Sequence, residues 1–488
     1  MTSVPGESQV HREFKRELRL LDASMIVIGS MIGSGIFIVS ADIARTVGSP
    51  ALLLLVWLIT GVMTVICALS YGELAGMMPQ AGGQYVYLRE AYNPLIGFLY
   101  GWTLFLVIQT GTIAAVAVAF AKFTAVVFPS AGDDNVLLSI AGIKITAARL
   151  VAIGSIVLLT WANTRGIRGG KIIQDIFTSA KTIALIGLIL LGILIGRNAT
   201  AIGANFSDMW SASWTRVADG QIVAIGPLSG ITLLAAIAVA MVGSLFAADA
   251  WNNITFAAGE VVKPSTTLPR SLLIGTGTVI LLYLVANVAY LMILPLHGTP
   301  DATDVVGRGI QFAANDRVGT AATAVMFGDI ATLIMAILIM ISTFGCNNGL
   351  ILAGARVTYA MAKDNLFFAQ AGRLNRFSVP AAALWVQAIW ASLLCLTGTY
   401  SDLLDYVVFA VLVFYVLTIS GIFILRRKQP NAERPYRAFG YPVLPALYVI
   451  AAALICLALL IYKPTYTWPG VVIVLLGLPV YLVWKKIR

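Results

Sequence analysis

The stretch "GSMIGSGIF" (29–37) places three glycines and two serines inside an otherwise apolar run. These residues are poor helix formers. In lipid, a broken backbone persists only where other groups satisfy it. Unwinding at Ile32 and Gly33 frees the amides of Ser34, Gly35 and Ile36 at the start of a new half-helix. The positive end of its dipole favours an anion. Carbonyls released around Ile32 face the other way and accept from an ammonium. A carboxylate and an ammonium held together describe a zwitterion such as an amino acid. The competing reading is a small-residue packing seam at Gly29-xxx-Gly33. A nucleotide loop fits poorly, since the order is G-x-x-x-G-x-G rather than G-x-G-x-x-G and no P-loop lysine follows.

Lys181 is the second costly residue. It lies about ten residues into an apolar run, roughly 15 Å deep at 1.5 Å per residue. That is near the midplane of a ~30 Å hydrocarbon core, too deep to snorkel easily. It reads as a cation bracing the broken helix or as a static tether to carbonyls. A second interruption, "SLFAADAWNN" (244–253), puts Asp249 and two amides in mid-run. Asp249 can pair with Lys181, meet a substrate amine, or cap the half-helix that follows. Phe246 and Trp251 flank that break and line a pocket or simply pack. Ser342 and Thr343 place hydroxyls in a later run, where hydroxyls usually bond back to their own helix, the functional alternative being a cation site that couples to the conformational change. Glu73, with Arg89 and Glu90, suggests a salt-bridged inner gate or latch.

The elements that must position these residues follow from composition. Of 488 residues, 59% are hydrophobic and 11% charged, against about 45–50% and about 25% in soluble domains. This is an all-α polytopic membrane protein. Twelve apolar runs read as spans: 22–46, 50–76, 95–128, 147–164, 172–196, 230–259, 271–295, 322–360, 380–398, 402–425, 442–462 and 469–484. With both termini on one side, that side carries 22 Lys and Arg and the other 9, Lys181 lying within a span. The positive-inside rule makes the richer side cytoplasmic. Charge spread over many short loops excludes nucleic-acid binding. The four cysteines lie in apolar runs without a CxxC pair, and the two histidines, His11 and His297, fall in the leader and a loop. No metal or cofactor is expected. Residues 1–21 read as a cytoplasmic leader without a secretory signal's apolar core.

Spans one and six, the interrupted ones, are five apart. That spacing is what a five-plus-five inverted repeat requires, with the substrate between paired broken helices near the midplane. The repeats are 22–196 and 230–425, and 426–488 holds two further helices and a tail.

Five motifs, "IGSMIGSGIF" (28–37), "YGELAGMMPQAGGQYVYLREAYNP" (71–94), "IIQDIFTSAK" (172–181), "FAADAWNNITFAAGEVVKPSTTLPRSL" (246–272) and "LRRKQPNAERPYRAFGYPVLP" (425–445), occur in this order. Together they resemble the amino acid–polyamine–organocation superfamily, nearest its L-type amino acid transporters. The resemblance implies the leucine-transporter fold with twelve helices and discontinuous helices one and six. It implies a substrate carboxylate on Ser34, Gly35 and Ile36, and an amine at the carbonyls of Ile32, Phe246 and Ala247. Phe246 resembles the family's gating aromatic, and Lys181 the lysine that stands in for sodium between spans one and eight. Two departures stand out. Ala248 and Ala250 replace a bulky aromatic and a glycine, and the loop 129–149 lacks the cysteine that ties animal members to a heavy chain. The resemblance therefore implies sodium-independent, alternating-access exchange of neutral L-amino acids in the inner or plasma membrane, without a disulfide-linked partner or enzymatic activity. A cationic amino acid or polyamine antiporter and a proton-coupled symporter are the alternatives. A channel lacks its continuous polar file, whereas a non-transporting sensor would keep the same pocket.

Overall fold

The computed structural model describes residues 14–140, 143–218, 221–397 and 400–487. The first 13 residues of the expected leader, including His11, and residue 398 at the end of the ninth span lie outside them. The helices, in chain order, are α1 (Leu20–Met31), α2 (Ser40–Val47), α3 (Pro50–Met77), α4 (Gln84–Ala91), α5 (Pro94–Thr103), α6 (Gln109–Val127), α7 (Ala147–Thr164), α8 (Ile167–Leu194), α9 (Ala199–Ser207), α10 (Gly230–Ala247) and α11 (Asn253–Phe256). They continue as α12 (Pro264–Ile293), α13 (Val305–Arg308), α14 (Val318–Phe327), α15 (Ala331–Lys363), α16 (Ala381–Thr397), α17 (Tyr400–Lys428), α18 (Val443–Tyr462) and α19 (Pro464–Ile487). A π-helical segment, Leu104–Ile108, joins α5 to α6 as one span.

Among the described residues, ten helical stretches are long and apolar enough to cross a bilayer, and Leu20–Met31 and Ala381–Leu396 are shorter apolar helices. These account for the twelve expected spans, span one being α1 with α2 and span six α10 with α11. Two antiparallel hairpins, β1 (Val136–Ile140) with β2 (Ile143–Thr146) and β3 (Ser213–Ala218) with β4 (Gln221–Pro227), add to the helical frame. Their alternating, turn-bounded sequences are too short for a hydropathy reading of spans to register.

Helix starts are locally encoded. The Ser49 side chain accepts from Leu52 N ahead of Pro50, and Asn93 does the same for Ile96 ahead of Pro94, the cap-then-proline pattern of helix N-termini. Packing partners recur five spans apart. α1 lies on α12 and α10 on α3; α8 lies on α15 and α17 on α6. α3 packs on α12 and α6 on α15, again five spans apart. One residue stands differently from the charge reading. Arg356, counted with the loop after span eight, is 1% exposed inside α15 and pairs with the equally buried Glu260 (2.9 Å). A buried ion pair of this kind is stable only when both partners are present.

Candidate functional site at the paired helix breaks

α1 ends at Met31, Ile32 caps it in an extended conformation, and a single 3-10 turn (Gly35–Phe37) precedes α2. The five carbonyls across this break all have partners from other spans. Lys181 Nζ, from α8, donates to Gly29 O (2.5 Å) and Ile32 O (2.7 Å), and also lies 3.3 Å from Ser342 O on α15. Ser342 Oγ reaches Ile32 O (3.1 Å) and Gly33 O (3.2 Å). Cys346 Sγ donates to Ser30 O (3.1 Å) and the Tyr283 hydroxyl to Met31 O (3.0 Å). The ammonium thus sits at the negative end of the α1 dipole, bridging spans one, five and eight. The amides behave in the opposite way. Those of Gly35 and Ile36 donate to no acceptor among the described residues.

Two sequence expectations change here. The Ile32 carbonyl was expected to meet a substrate amine, but Lys181 and Ser342 already take its two lone pairs. Thr343 turns away and bonds to Ile339 O of its own helix (2.7 Å), while its neighbour Ser342 faces the break. The glycines divide between both readings of the motif. A side chain at Gly29 would collide with Gln174 and Thr178, so Gly29 serves close packing on α8. Gly35 serves the site, because a Cβ there would lie 2.7 Å from the Cβ of Ala247. The two breaks therefore touch.

The break in span six closes on itself. Ala248 N donates to Ser244 O (2.9 Å), Asp249 N to Phe246 O (3.1 Å) and Asn253 N to Ala250 O (3.2 Å). The turn forces Ala250 to φ 65°, a left-handed conformation that costs a residue with a Cβ about 1–2 kcal/mol. Asp249 neither pairs with Lys181, whose partners are carbonyls, nor caps α11, whose N-cap is Asn252 without a side-chain bond. Instead Asp249 Oδ1 accepts from the Tyr415 hydroxyl at 2.5 Å. Ala247 O lies 3.3 Å from the same Tyr283 hydroxyl that reaches Met31 O. Trp251 is buried edge-on against Tyr71, with ring centroids 4.8 Å apart. Asn252 Nδ2 donates to Gln84 Oε1 (3.1 Å), fastening the far side of the turn to α4.

Two cavities adjoin the break. One is lined by Phe246, Ala248, Asp249, Trp251, Tyr415 and Tyr448, the other by Gln84, Tyr100, Asp249, Ala250, Asn252 and Tyr415. Each has room of about 20 Å³, enough for a single water. The Asp249–Tyr415 pair forms part of the wall of both. An amino acid can enter only if the surrounding helices part. Ala248, where the resemblance led us to expect an aromatic, opens into the first cavity.

Glu73 and Arg89 do not meet. Glu73 lies at the end of α3 facing α17, where it accepts from Arg426 (2.9 and 2.7 Å) and the Ala438 amide (2.7 Å) and lies 3.3 Å from Arg434. Arg89 projects from α4 toward the end of α15 and pairs with Asp364 and Glu90. The expected single latch is two clamps. Tyr283, Tyr415 and the Glu260–Arg356 pair went unread. The available signal was cost, since an arginine inside an apolar run demands a buried partner.

A family model described as "Amino acid permease" matches residues 18–481. The chain is 30% identical over 473 residues to "Large neutral amino acids transporter small subunit 2" of Homo sapiens, covering 96% of this chain and 80% of that one. It is 28% identical over 496 residues to the human "Asc-type amino acid transporter 1", covering 99% and 85%. It is 26% identical over 472 residues to the human "b(0,+)-type amino acid transporter 1", covering 96% and 87%.

Proposed function

The chain belongs to the amino acid permease family, and from that premise we propose that it exchanges neutral L-amino acids across the membrane by alternating access, without sodium. The observation that carries this reading is the asymmetry of the first break. Its carbonyls are bound by protein groups, whereas the Gly35 and Ile36 amides are not. Such a break offers donors to a carboxylate. The amine then falls to span six, where among the described residues Ala247 O has one long contact, to the Tyr283 hydroxyl. Lys181 supplies a fixed positive charge among carbonyls of spans one and eight, where a sodium-coupled design would place the ion. Residues 22–196 and 230–425, the two repeats, contribute one break each to this site, with Phe246 closing over the substrate. The termini lie in the cytoplasm and the protein sits in the inner or plasma membrane, as the Lys and Arg bias favours. It works without a disulfide-linked heavy chain, since all four cysteines are buried, and it performs no covalent chemistry.

The test is uptake of labelled alanine, serine, leucine and arginine into sodium-free liposomes preloaded with unlabelled amino acids. Uptake that requires internal amino acid is the expected result. Uptake into empty vesicles that follows a pH gradient overturns exchange in favour of proton symport. A cationic-substrate antiporter is the second reading, favoured by Asp249, whose carboxylate borders both cavities with a tyrosine hydroxyl as its one side-chain partner among the described residues. Loss of arginine uptake in Asp249→Asn with alanine uptake intact would select it.

A further inference from the structure

On the surface that carries the leader, a groove of about 620 Å³ opens between the start of α1 and the start of α8. Its polar wall is Arg16, Glu17, Arg19, Asp22, Arg168 and Lys171. None of these residues belongs to the helix breaks. The wall is held rigidly. Glu17 N and Leu18 N donate to Glu260 O (2.9 and 3.0 Å), Val262 N donates to Leu18 O (2.8 Å), and Leu18 is fully buried. Arg16 and Arg19 flank this anchored stretch, so their positions are set by backbone rather than by a loose tail.

The charges do not cancel. Arg168 pairs with Glu17 (3.1 Å) and Lys171 with Asp22 (2.8 Å). The Arg19 backbone amide donates to Asp22 Oδ2 (2.8 Å), but the guanidiniums of Arg16 and Arg19 pair with no carboxylate among the described residues, although both residues line the groove. Two surplus guanidiniums facing one concavity suit a phosphate, whose oxygens match the arginine fork. The groove's remaining edge is apolar and outward-facing. Leu21 is 67% exposed and Ile172 57%, and Ile176, one turn further along α8, is 60% exposed. A free anion has no use for that edge, whereas acyl chains lie along it.

We propose that this groove binds the phosphate headgroup of an anionic phospholipid, with its chains running down the Leu21–Ile172–Ile176 face. The lipid bridges the first turn of α1 to α8, the helix whose Lys181 holds the α1 carbonyls. Occupancy therefore stabilises the docking of the half-helix that carries the first break.

The experiment is native mass spectrometry of the full chain in neutral detergent. It is titrated with phosphatidylglycerol, with phosphatidylcholine of the same chains, and with inorganic phosphate. Saturable retention of phosphatidylglycerol over phosphatidylcholine is expected. Removing a basic residue beside an anionic headgroup should weaken binding about fivefold. Arg168→Gln, at a side chain 84% exposed, tests this with little risk to folding, and the pair Arg16→Gln with Arg19→Gln should weaken retention more than tenfold. Lys485→Gln with Lys486→Gln, at the end of α19 and outside the groove's lining, should leave it unchanged. Equal retention of both lipids, or unchanged retention in the Arg168 and Arg16/Arg19 variants, overturns the proposal. Displacement of the lipid by millimolar inorganic phosphate would make the ligand a soluble anion and sink the lipid assignment. Since lipid retention needs no transport, failure here leaves the exchange reading standing, and the reverse also holds.

Discussion

The two helix breaks solve one problem in opposite ways. In span one, the carbonyls from Gly29 to Gly33 are satisfied from outside, by Lys181, Cys346, Tyr283 and Ser342 on three other helices. In span six, the amides of Ala248, Asp249 and Asn253 bond within a tight turn that stores its cost at Ala250, φ 65°, and Ala247 O is left to a long contact with the Tyr283 hydroxyl. The first break is thus held by contacts that a neighbouring helix can withdraw. The second is held by local geometry that travels with its own chain. A protein that must open and reclose around a ligand gains from having one break of each kind, because only the first needs its neighbours in place.

Replacing Lys181 with methionine should expose the contrast most strongly. Two carbonyls would lose a charged donor, and such bonds are worth about 1.5–3 kcal/mol each. We expect a stability loss of about 3 kcal/mol by denaturation in detergent and no measurable exchange; a loss below about 1 kcal/mol would mean that the first break does not depend on its neighbours. Tyr415→Phe strips the Asp249 carboxylate of its hydroxyl partner and should cost about 2 kcal/mol. Asp249→Asn keeps a hydrogen bond to the Tyr415 hydroxyl and should cost less, with alanine exchange retained. Tyr283→Phe removes a bond shared by both breaks and should cost about 0.6 kcal/mol, typical of interhelical bonds in membranes. The smallest effect has the opposite sign. Ala250→Gly relieves the left-handed strain and should stabilise by up to about 1 kcal/mol. Destabilisation there would show that the turn is not where span six stores its cost.

The sequence made the breaks legible because glycine, serine and charge in an apolar run violate the local rules for a membrane helix. Span limits were legible for the same reason, from hydropathy and from caps such as Ser49 before Pro50. What stayed hidden was pairing between helices far apart in the chain. Glu73 meets Arg426 across 353 positions, and nothing in the α3 sequence indicates that its carboxylate faces α17 rather than Arg89. Ser342 and Thr343 were indistinguishable until the rotation of α15 was known. The Ile32 carbonyl was assigned to a substrate because the reach of Lys181 could be placed in depth but not in direction.

The Tyr283 hydroxyl carries a single hydrogen but lies within reach of one carbonyl from each break, Met31 at 3.0 Å and Ala247 at 3.3 Å. A phenol has only one proton to give. Any separation of the two half-helices obliges it to follow one and abandon the other. The stretching frequency of that hydroxyl would then distinguish the two allegiances, turning a buried tyrosine into a built-in gauge of which half of the molecule has moved.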